Sequence, residues 1–137
     1  MKKSLAIFLA SIVTLTLINS ALGLSQAQIE AETYLWDFGQ VRNDQTLEKT
    51  IIIRNVGAAS LEVKTVFTSC GCVQAEIVPK NIAPREQAEL KIIYSPQGQP
   101  EGPDSKDIYI FSNDPENPQV KISIQAEVIK YNSEIGG

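Results

Sequence analysis

The strongest constraint on the fold of this chain is a series of short runs in which apolar and polar residues alternate. The clearest run lies near the C-terminus, and its apolar residues share one face: Val120, Ile122, Ile124, Ala126 and Val128. Successive side chains of a β-strand point to opposite sides of the sheet, so this period of two is typical of a strand with one buried face. The pattern predicts a chain built from β-strands.

Other runs with the same character precede it, and turn-forming residues separate them. They cover residues 29–36, 46–54, 61–67, 73–78, 88–94 and 106–111. All seven prolines lie between the runs or at their ends, as expected because proline lacks the N–H that a strand donates. About seven short strands in about 100 residues predict an all-β fold, an immunoglobulin-like antiparallel β-sandwich.

The alternation also predicts which side chains form the core. The inward positions are Leu47, Ile51, Ile53, Leu61 and Val63, followed by either Val66 or Phe67 according to the local register, with Phe111 as an aromatic member. The triplet Asp37-Phe38-Gly39 predicts a bend that ends the first strand, with Phe38 packed inward and Gly39 relieving the backbone. Trp36 is expected to cover one end of the sandwich, with stacking on a ligand as the alternative.

The N-terminus has the pattern of a secretory signal peptide. Lys2 and Lys3 precede an uncharged, mostly apolar run from Ser4 to Ile18, which is shorter than a membrane-spanning helix requires. Residues 1–23 are therefore predicted to be a signal peptide, with cleavage after Ala27 or an uncleaved anchor as alternatives. We expect an immunoglobulin-like domain over residues 29–130, a tail over residues 131–137, and a location in the periplasm or outside the cell.

Charge excludes two classes of partner. Cleavage after residue 23 takes two lysines from the 12 basic residues and leaves all 16 acidic ones, so the exported chain has a net charge of −6. Nucleic acids and anionic lipids are bound by clustered Lys and Arg, which this chain lacks. We therefore expect no nucleic-acid partner and no stable membrane insertion after cleavage.

The one pattern that could carry reactivity is Cys70-Gly71-Cys72, and the chain has no histidine. Three interpretations are open. The cysteines form a structural corner, in which Gly71 supplies the required backbone angles and one cysteine belongs to the core. Alternatively they form a disulfide or redox pair, for which a tight turn at Gly71 would have to shorten the extended spacing of about 6.6 Å.

The third interpretation is a metal site at Cys70 and Cys72. It is weak, because zinc requires four ligands and the exported chain offers only two thiolates and carboxylates such as Glu76, and because that chain has no methionine for copper(I). A metal site would therefore need a second chain. No cofactor is expected. Without histidine, Ser-His and Cys-His nucleophile pairs are impossible, so we predict that the protein is not an enzyme.

Several acids lie near predicted loops: Asp104, Asp107, Asp114 and Glu116. Oxygen ligands of this kind suit calcium, but the chain shows no spaced calcium-binding loop. The favoured interpretation is a solvated acidic rim.

A set of short motifs along the chain resembles one family of exported bacterial domains. The motifs are Trp36-Asp37-Phe38-Gly39-Gln40-Val41, Asn55-Val56-Gly57, Thr68-Ser69-Cys70-Gly71-Cys72, Ile82-Ala83-Pro84 and Phe111-Ser112-Asn113. Over residues 33–128 the chain resembles the DUF1573 family, whose immunoglobulin-like domains are similar to the ASH/MSP/Hydin group. Val73 stands where the family usually has threonine, and Arg85 where glycine is common.

The resemblance implies structural roles for the motif residues: Trp36, Phe38, Gly39, Asn55, Gly57, Ser69, Gly71, Pro84, Ser112 and Asn113. It offers no established reaction. We expect an exported, non-enzymatic module that binds an unidentified envelope protein through a sheet edge or through the loop at Cys70–Cys72. The alternative is a thiol-redox or metal-handling protein that uses the same two cysteines.

Overall fold

The computed structural model describes residues 25–132, and all the regular elements in this part of the chain are β-strands. The nine strands are β1 (Ile29–Ala31), β2 (Leu35–Arg42), β3 (Leu47–Asn55), β4 (Leu61–Thr68), β5 (Val73–Val78), β6 (Asn81–Ile82), β7 (Gln87–Tyr94), β8 (Gly102–Ser112) and β9 (Gln119–Ile129). The all-β prediction is confirmed. The predicted signal peptide (residues 1–23) and residues 133–137 of the predicted tail lie outside the described residues.

Within residues 25–132 no helix is long and apolar enough to cross a membrane. The strands form two sheets that share one core. Sheet 1 has the order β1-β3-β7-β5, and sheet 2 has the order β2-β9-β8-β4-β6. Buried apolar side chains from both sheets form a single cluster, dominated by isoleucine, leucine and valine. Burial of these aliphatic faces is the main stabilising term, because each fully buried side chain contributes about 1.5–3 kcal/mol.

The first predicted strand is wrong in its extent. Residues 29–36 form two strands on different sheets, because the chain passes from sheet 1 to sheet 2 between β1 and β2. Asp37-Phe38-Gly39 does not end a strand either. It lies within β2, where the register against β9 shifts between Asp37 and Gln40 and Gly39 has a φ of 70°. The predicted distortion is therefore present, as a bulge inside a strand.

The prediction of a wholly antiparallel fold is wrong for β2 and β9, which pair in parallel. Almost the whole domain separates them in the chain, so no hairpin turn imposes an antiparallel direction. Strand β8 also begins earlier than expected, at Gly102, and includes Pro103. The proline is tolerated because β4 pairs only with the later part of β8, from Ile108. The first part of β8 therefore has no β4 residue beside it, and a residue without an N–H costs little there.

Most of the predicted core is confirmed: Ile51, Ile53, Leu61, Val63 and the five residues of β9 are buried, and Leu47 is partly buried against them. A register shift between Val63 and Thr65 turns Val66 inward and leaves Phe67 59% exposed. Phe111 is the exception among the predicted core residues. In β8 the inward positions are Ile108, Ile110 and Ser112, so Phe111 lies on the outer face and is only half-buried.

Candidate functional site

The two cysteines lie in a tight turn that carries the chain from β4 in sheet 2 to β5 in sheet 1. Their sulfur atoms are bonded to each other, and their Cα atoms are 5.2 Å apart. This is shorter than the extended spacing of about 6.6 Å, and it lies in the range that disulfides favour. The turn thus brings the pair together in the way that the redox interpretation requires.

Hydrogen bonds hold this disulfide turn, which we define as residues 68–73. The Val73 N–H donates to the Cys70 carbonyl at 3.1 Å, and the Thr68 hydroxyl lies 3.1 Å from the carbonyl oxygens of both Cys70 and Val73. Ser69 connects the turn to β8: its N–H donates to the Asp107 carbonyl, and its hydroxyl oxygen accepts from the Asp107 N–H, each at 2.9 Å. Ser69 therefore has a structural role in positioning the cysteines.

The two sulfur atoms differ in environment. Both cysteines are half-buried, and Cys72 packs against the hydrophobic core. The Cys72 N–H donates to Cys70 Sγ at 3.1 Å. Gly71 is exposed, has a φ outside the left-handed region, and leaves open space where a Cβ would lie. The turn therefore does not use the left-handed conformation that favours glycine.

Among residues 25–132, no three His, Cys, Asp or Glu side chains converge in a way that could hold a metal ion. A cleft of about 430 Å³ opens beside the irregularity of β2 and is lined by polar side chains that include Asp37, Gln125 and Glu127. It lies away from the two cysteines, which are not among its lining residues.

Strand β5 directly follows the disulfide turn and forms one edge of sheet 1. It pairs with β7 over its full length, from Val73 to Val78, without a register shift. The Ser95 N–H donates to the Cys72 carbonyl, so the backbone groups of Cys72 and of every second residue after it face β7. The backbone groups of Val73, Ala75 and Ile77 therefore face away from the sheet.

The turn already uses the outward groups of Val73, as described above. This leaves the N–H and C=O groups of Ala75 and Ile77 as the open hydrogen-bonding positions of the β5 edge. The other edge strands of the described part are shorter or irregular: β1 has three residues, β6 has two, and β2 contains the bulge. Among the four strands that end the two sheets in residues 25–132, β5 is thus the longest one without a register shift.

At the opposite end of the strands, Asn55 forms a buried polar centre with no solvent exposure. Its Oδ1 accepts from the N–H groups of Gly57 at 3.0 Å and Gln28 at 3.3 Å. Its Nδ2 donates to the carbonyls of Ala59 at 2.7 Å and Ile82 at 2.9 Å. One side chain thereby satisfies backbone groups from three segments, which agrees with the structural role implied for Asn55.

Gly57 lies against the segment that leads into β1. A Cβ on Gly57 would lie 2.2 Å from the Gln26 carbonyl oxygen and 2.5 Å from the Gln28 nitrogen. Those are backbone atoms, which cannot move aside as a flexible side chain could. Close approach of two backbones therefore explains the glycine at this position.

Asp114 is buried, with 1% of its surface exposed, so the solvated acidic rim is wrong for this residue. One carboxylate oxygen accepts from the Ile29 N–H at 2.9 Å, and the other accepts from Glu116 at 2.8 Å and Asn117 at 3.0 Å. Burial opposes ionisation, but these backbone donors hold the pKa of Asp114 below its usual value. A signal was present in the sequence, since Asp-Pro favours a turn that a carboxylate caps.

Two residues of the Phe111-Ser112-Asn113 motif lie next to Asp114 in the chain. Ser112 is buried, and its hydroxyl oxygen lies 3.3 Å from the Asp114 nitrogen. Asn113 is exposed. It accepts from the Glu62 N–H at 2.8 Å and donates to the Ser60 carbonyl at 3.1 Å, which connects the end of β8 to the start of β4.

We expect the free energy of unfolding to fall as the pH drops below about 4, and Asp114 is one of the groups responsible. Its pKa is lower in the folded chain than in the unfolded chain. The stability that it contributes is therefore present above the unfolded pKa and is lost as the pH falls through the folded pKa. Urea unfolding from pH 7 to pH 3 measures this. Asp114→Asn should be less stable at pH 7 and should show a shallower acid dependence; an unchanged dependence would contradict the assignment.

A second, partly buried polar contact joins the two sheets. The Tyr94 hydroxyl of β7 donates to Asp104 of β8, and Lys106 Nζ lies 2.6 Å from the same carboxylate. Burial opposes ionisation of Asp104, but the hydrogen bonds from Lys106 and Tyr94 lower its pKa, while burial and the bond to Asp104 raise the pKa of Tyr94. Asp104 lies within β8 and is mostly covered, so it does not belong to a solvated rim either.

The aromatic residues of β2 pack at one side of the core. Phe38 stacks on Tyr94 with ring centroids 5.9 Å apart, and Trp36 meets Phe38 edge-on at 6.4 Å. Lys49 Nζ lies 3.6 Å from the centre of the Trp36 ring, so a cation covers one face of the indole. Trp36 Nε1 is buried and has no hydrogen-bond partner among the described residues.

Pro84 is exposed in the turn between β6 and β7, where the Glu86 N–H donates to the Ala83 carbonyl at 3.0 Å. The next residue, Arg85, has a φ of 65°. This is the left-handed region, which favours glycine. The family's preference for glycine at this position therefore has a conformational reason, and this chain departs from it.

Arg85→Gly is expected to raise the free energy of unfolding by about 0.5 kcal/mol. Relief of the left-handed strain, about 1–2 kcal/mol, is partly offset by the greater freedom of glycine in the unfolded chain. Chemical denaturation measures the change. Arg85→Ala is the matched control: it removes the same side chain but keeps the strain, so it should give no gain, and equal stabilisation by both variants would refute the explanation.

These features define an all-β domain of two sheets with an immunoglobulin-like fold and a disulfide turn. A model of the family described as "Protein of unknown function (DUF1573)" matches residues 29–128. The chain belongs to the DUF1573 family. A search among curated proteins finds no match.

Solved structures agree on the fold. A protein of unknown function from Porphyromonas gingivalis W83 is 31% identical, with a TM-score of 0.70 over 79% of this chain and 50% of that one. This chain thus spans half the length of that protein. The ASH/PapD-like domain 7 of human CEP192 is 10% identical, with a TM-score of 0.61 over 78% of this chain and 89% of that domain. The YadV chaperone is 14% identical, with a TM-score of 0.55 over 73% of this chain and 51% of that one.

Proposed function

We propose that this protein is an exported, non-enzymatic module that binds another protein of the cell envelope through the β5 edge and the adjoining disulfide turn. The observation that carries the proposal is the open, regular edge of β5. Its Ala75 and Ile77 present, side by side along the strand, backbone donors and acceptors that no residue of 25–132 pairs with.

Open strand edges pair readily with other chains, and folded proteins usually shorten, bend or charge them. β1, β2 and β6 follow that rule, as their lengths and the bulge of β2 show. β5 contains no bulge, proline or lysine, and Glu76 is its single charged residue. Such an edge suits the addition of a partner strand, in which main-chain hydrogen bonds supply affinity.

Export and the lack of catalysis rest on other observations. The N-terminal pattern of Lys2 and Lys3 before an apolar run favours secretion, and an oxidised cysteine pair suits a compartment outside the cytosol. The chain has no histidine, so the common histidine-assisted nucleophiles are not available to it.

Site-specific photo-crosslinking in intact cell envelopes tests the binding role. Val78 at the end of β5 is 59% exposed, and Leu35 on the edge strand β2 is 50% exposed, so they form a matched pair of apolar edge positions. A photoreactive side chain at Val78 is expected to yield one dominant adduct, at several times the yield from Leu35. Equal yields from the two positions, or diffuse labelling at both, would refute the proposal.

A second candidate function is dithiol–disulfide exchange at Cys70–Cys72. The hydrogen bond from the Cys72 N–H to Cys70 Sγ favours it, because the same donor would stabilise a thiolate on Cys70. In the first step a thiolate of a dithiol protein attacks Cys72 Sγ, the bond between the two cysteines breaks, and Cys70 leaves as a thiolate. The second thiol of that protein then resolves the mixed disulfide, so the protein is oxidised and Cys70 and Cys72 are reduced with two protons.

Reduction of the folded protein tests this candidate. A disulfide between residues two positions apart closes a very short loop, so its chain-entropy contribution is small and reduction is expected to lower the free energy of unfolding by less than about 2 kcal/mol. Alkylation and intact mass should show complete reduction by dithiothreitol without denaturant, with the fold retained by circular dichroism. Reduction that occurs only after unfolding would exclude exchange. The variant with both cysteines replaced by serine should not respond to reductant.

A further inference from the structure

We propose that the β5 edge takes an extended segment of a different protein, in antiparallel pairing, with Lys or Arg opposite Glu76 and an apolar residue on each side of it. This inference rests on the proposed binding function and names the chemistry of the partner.

The register follows from the open backbone groups. Ala75 and Ile77 each offer an N–H and a C=O that face away from β7, and the turn occupies those of Val73. An antiparallel segment uses all four groups only when two of its residues, spaced by two, lie opposite Ala75 and Ile77. The residue between them then lies opposite Glu76 in a non-hydrogen-bonded pair, where the Cα atoms are about 4.5 Å apart and the side chains are close.

The charge preference follows from Glu76, which is exposed on the outer face of sheet 1. Lys91 is its register partner on β7, but no salt bridge to Glu76 forms among residues 25–132. An opposite charge directly across the strand pair stabilises it, and a like charge destabilises it. The partner residue that lies opposite Glu76 is therefore expected to be Lys or Arg.

The flanking positions face the other side of the sheet. Ala75 is half-buried and Ile77 is buried, so their side chains point toward the core. Residues directly opposite in an antiparallel pair lie on the same face, so the two partner residues there also point toward the interior. Apolar side chains fit these positions, and the segment alternates apolar, basic and apolar residues.

A second copy of this chain does not meet these requirements. Two β5 edges pair through all four open groups on each strand only if Ala75 of each lies opposite Ile77 of the other. That register places Glu76 opposite Glu76, the like-charge arrangement that destabilises a strand pair. Two other registers differ from this one by a shift of two residues. A shift in one direction pairs the backbone groups of Val73, which the disulfide turn already occupies, and a shift in the other direction pairs Pro79, which has no N–H.

Labelled peptides test the charge preference. The probes are two end-capped peptides, Thr-Val-Lys-Val-Thr and the same peptide with Glu in place of Lys, measured by fluorescence anisotropy at low ionic strength. The lysine peptide is expected to bind about five-fold or more tightly, and Glu76→Lys is expected to reverse the order. Equal affinities, or no binding of either peptide at millimolar concentration, would overturn the inference.

Proline substitutions test the edge. Ala75→Pro removes an N–H that points away from β7, so the domain should keep its fold while the affinity for the lysine peptide falls about ten-fold or more. Gln74→Pro is the matched control, because it removes an N–H that pairs with β7 and should lower the melting temperature. N-methylation of the peptide valine opposite Ala75 checks the same bond without altering the protein, and unchanged affinity there would overturn the pairing.

The two proposals fail in distinguishable ways. Site-dependent crosslinking from Val78 together with peptide binding that ignores charge would overturn the partner chemistry and leave the binding function in place. Sedimentation should show a monomer that self-associates more strongly in Glu76→Gln. A wild-type dimer that Ala75→Pro dissociates would identify a second copy as the occupant and overturn the inference.

Discussion

Asn55→Ala is expected to lower the free energy of unfolding by about 3–5 kcal/mol, because it removes a fully buried side chain that hydrogen-bonds four backbone groups at once. The Asn55 side chain satisfies the N–H groups of Gly57 and Gln28 and the carbonyls of Ala59 and Ile82, with no solvent exposure. Alanine provides no replacement donor or acceptor. Urea denaturation followed by circular dichroism measures the loss.

Asn113→Ala is the matched control for that experiment. Asn113 belongs to another of the family motifs and also bridges two backbone groups, but it is exposed. Water can take the place of its amide, so we expect a loss of about 1 kcal/mol. Similar losses in the two variants would show that burial at Asn55 is not the source of its effect.

Gly57→Ala is expected to destabilise the domain by about 3 kcal/mol, since the new Cβ would meet backbone atoms rather than a movable side chain. The nearest of them, the Gln26 carbonyl oxygen, would be 2.2 Å away. Relief requires the segment before β1 to move, which would also strain the hydrogen bond from the Gln28 N–H to Asn55. Thermal and urea unfolding measure the effect, and hydrogen exchange at Ile29 should report the displaced segment.

Gly71→Ala provides the comparison at a glycine of the disulfide turn. No atom lies within 4 Å of the Cβ position, and its φ lies outside the left-handed region. We expect a change within about 0.5 kcal/mol. A large loss at Gly71, or none at Gly57, would refute the account of why glycine occupies these two positions.

The functional candidates were only partly predictable from sequence. The cysteine pair and its turn are visible as a local pattern, because residues two apart are close in any conformation. From the sequence we predicted only that an exposed sheet edge would bind a partner, and not that this edge would be β5. Which strand remains unpaired depends on where β3, β7 and β5 lie relative to one another, and no single strand sequence contains that information.

The environments of Asp114 and Asp104 were also not predicted from the sequence. Asp114 and Asp104 look like surface acids beside turns, yet one caps backbone N–H groups and the other joins Lys106 and Tyr94. The partners Ile29 and Asp114 are far apart in the chain. Burial of a carboxylate requires hydrogen-bond donors. The Ile29 donor comes to Asp114 from another part of the fold, so local spacing does not predict that this acid is covered.

By itself the sequence determined the strand character of the chain and most of its core, because the alternation of apolar and polar residues is a local consequence of backbone geometry. Only the tertiary structure decided the parallel pairing of β2 with β9, the outward position of Phe111, the burial of Asp114 and the open edge at β5. Each of these depends on contacts between residues distant in the chain, and such contacts form only when the two sheets pack around one core.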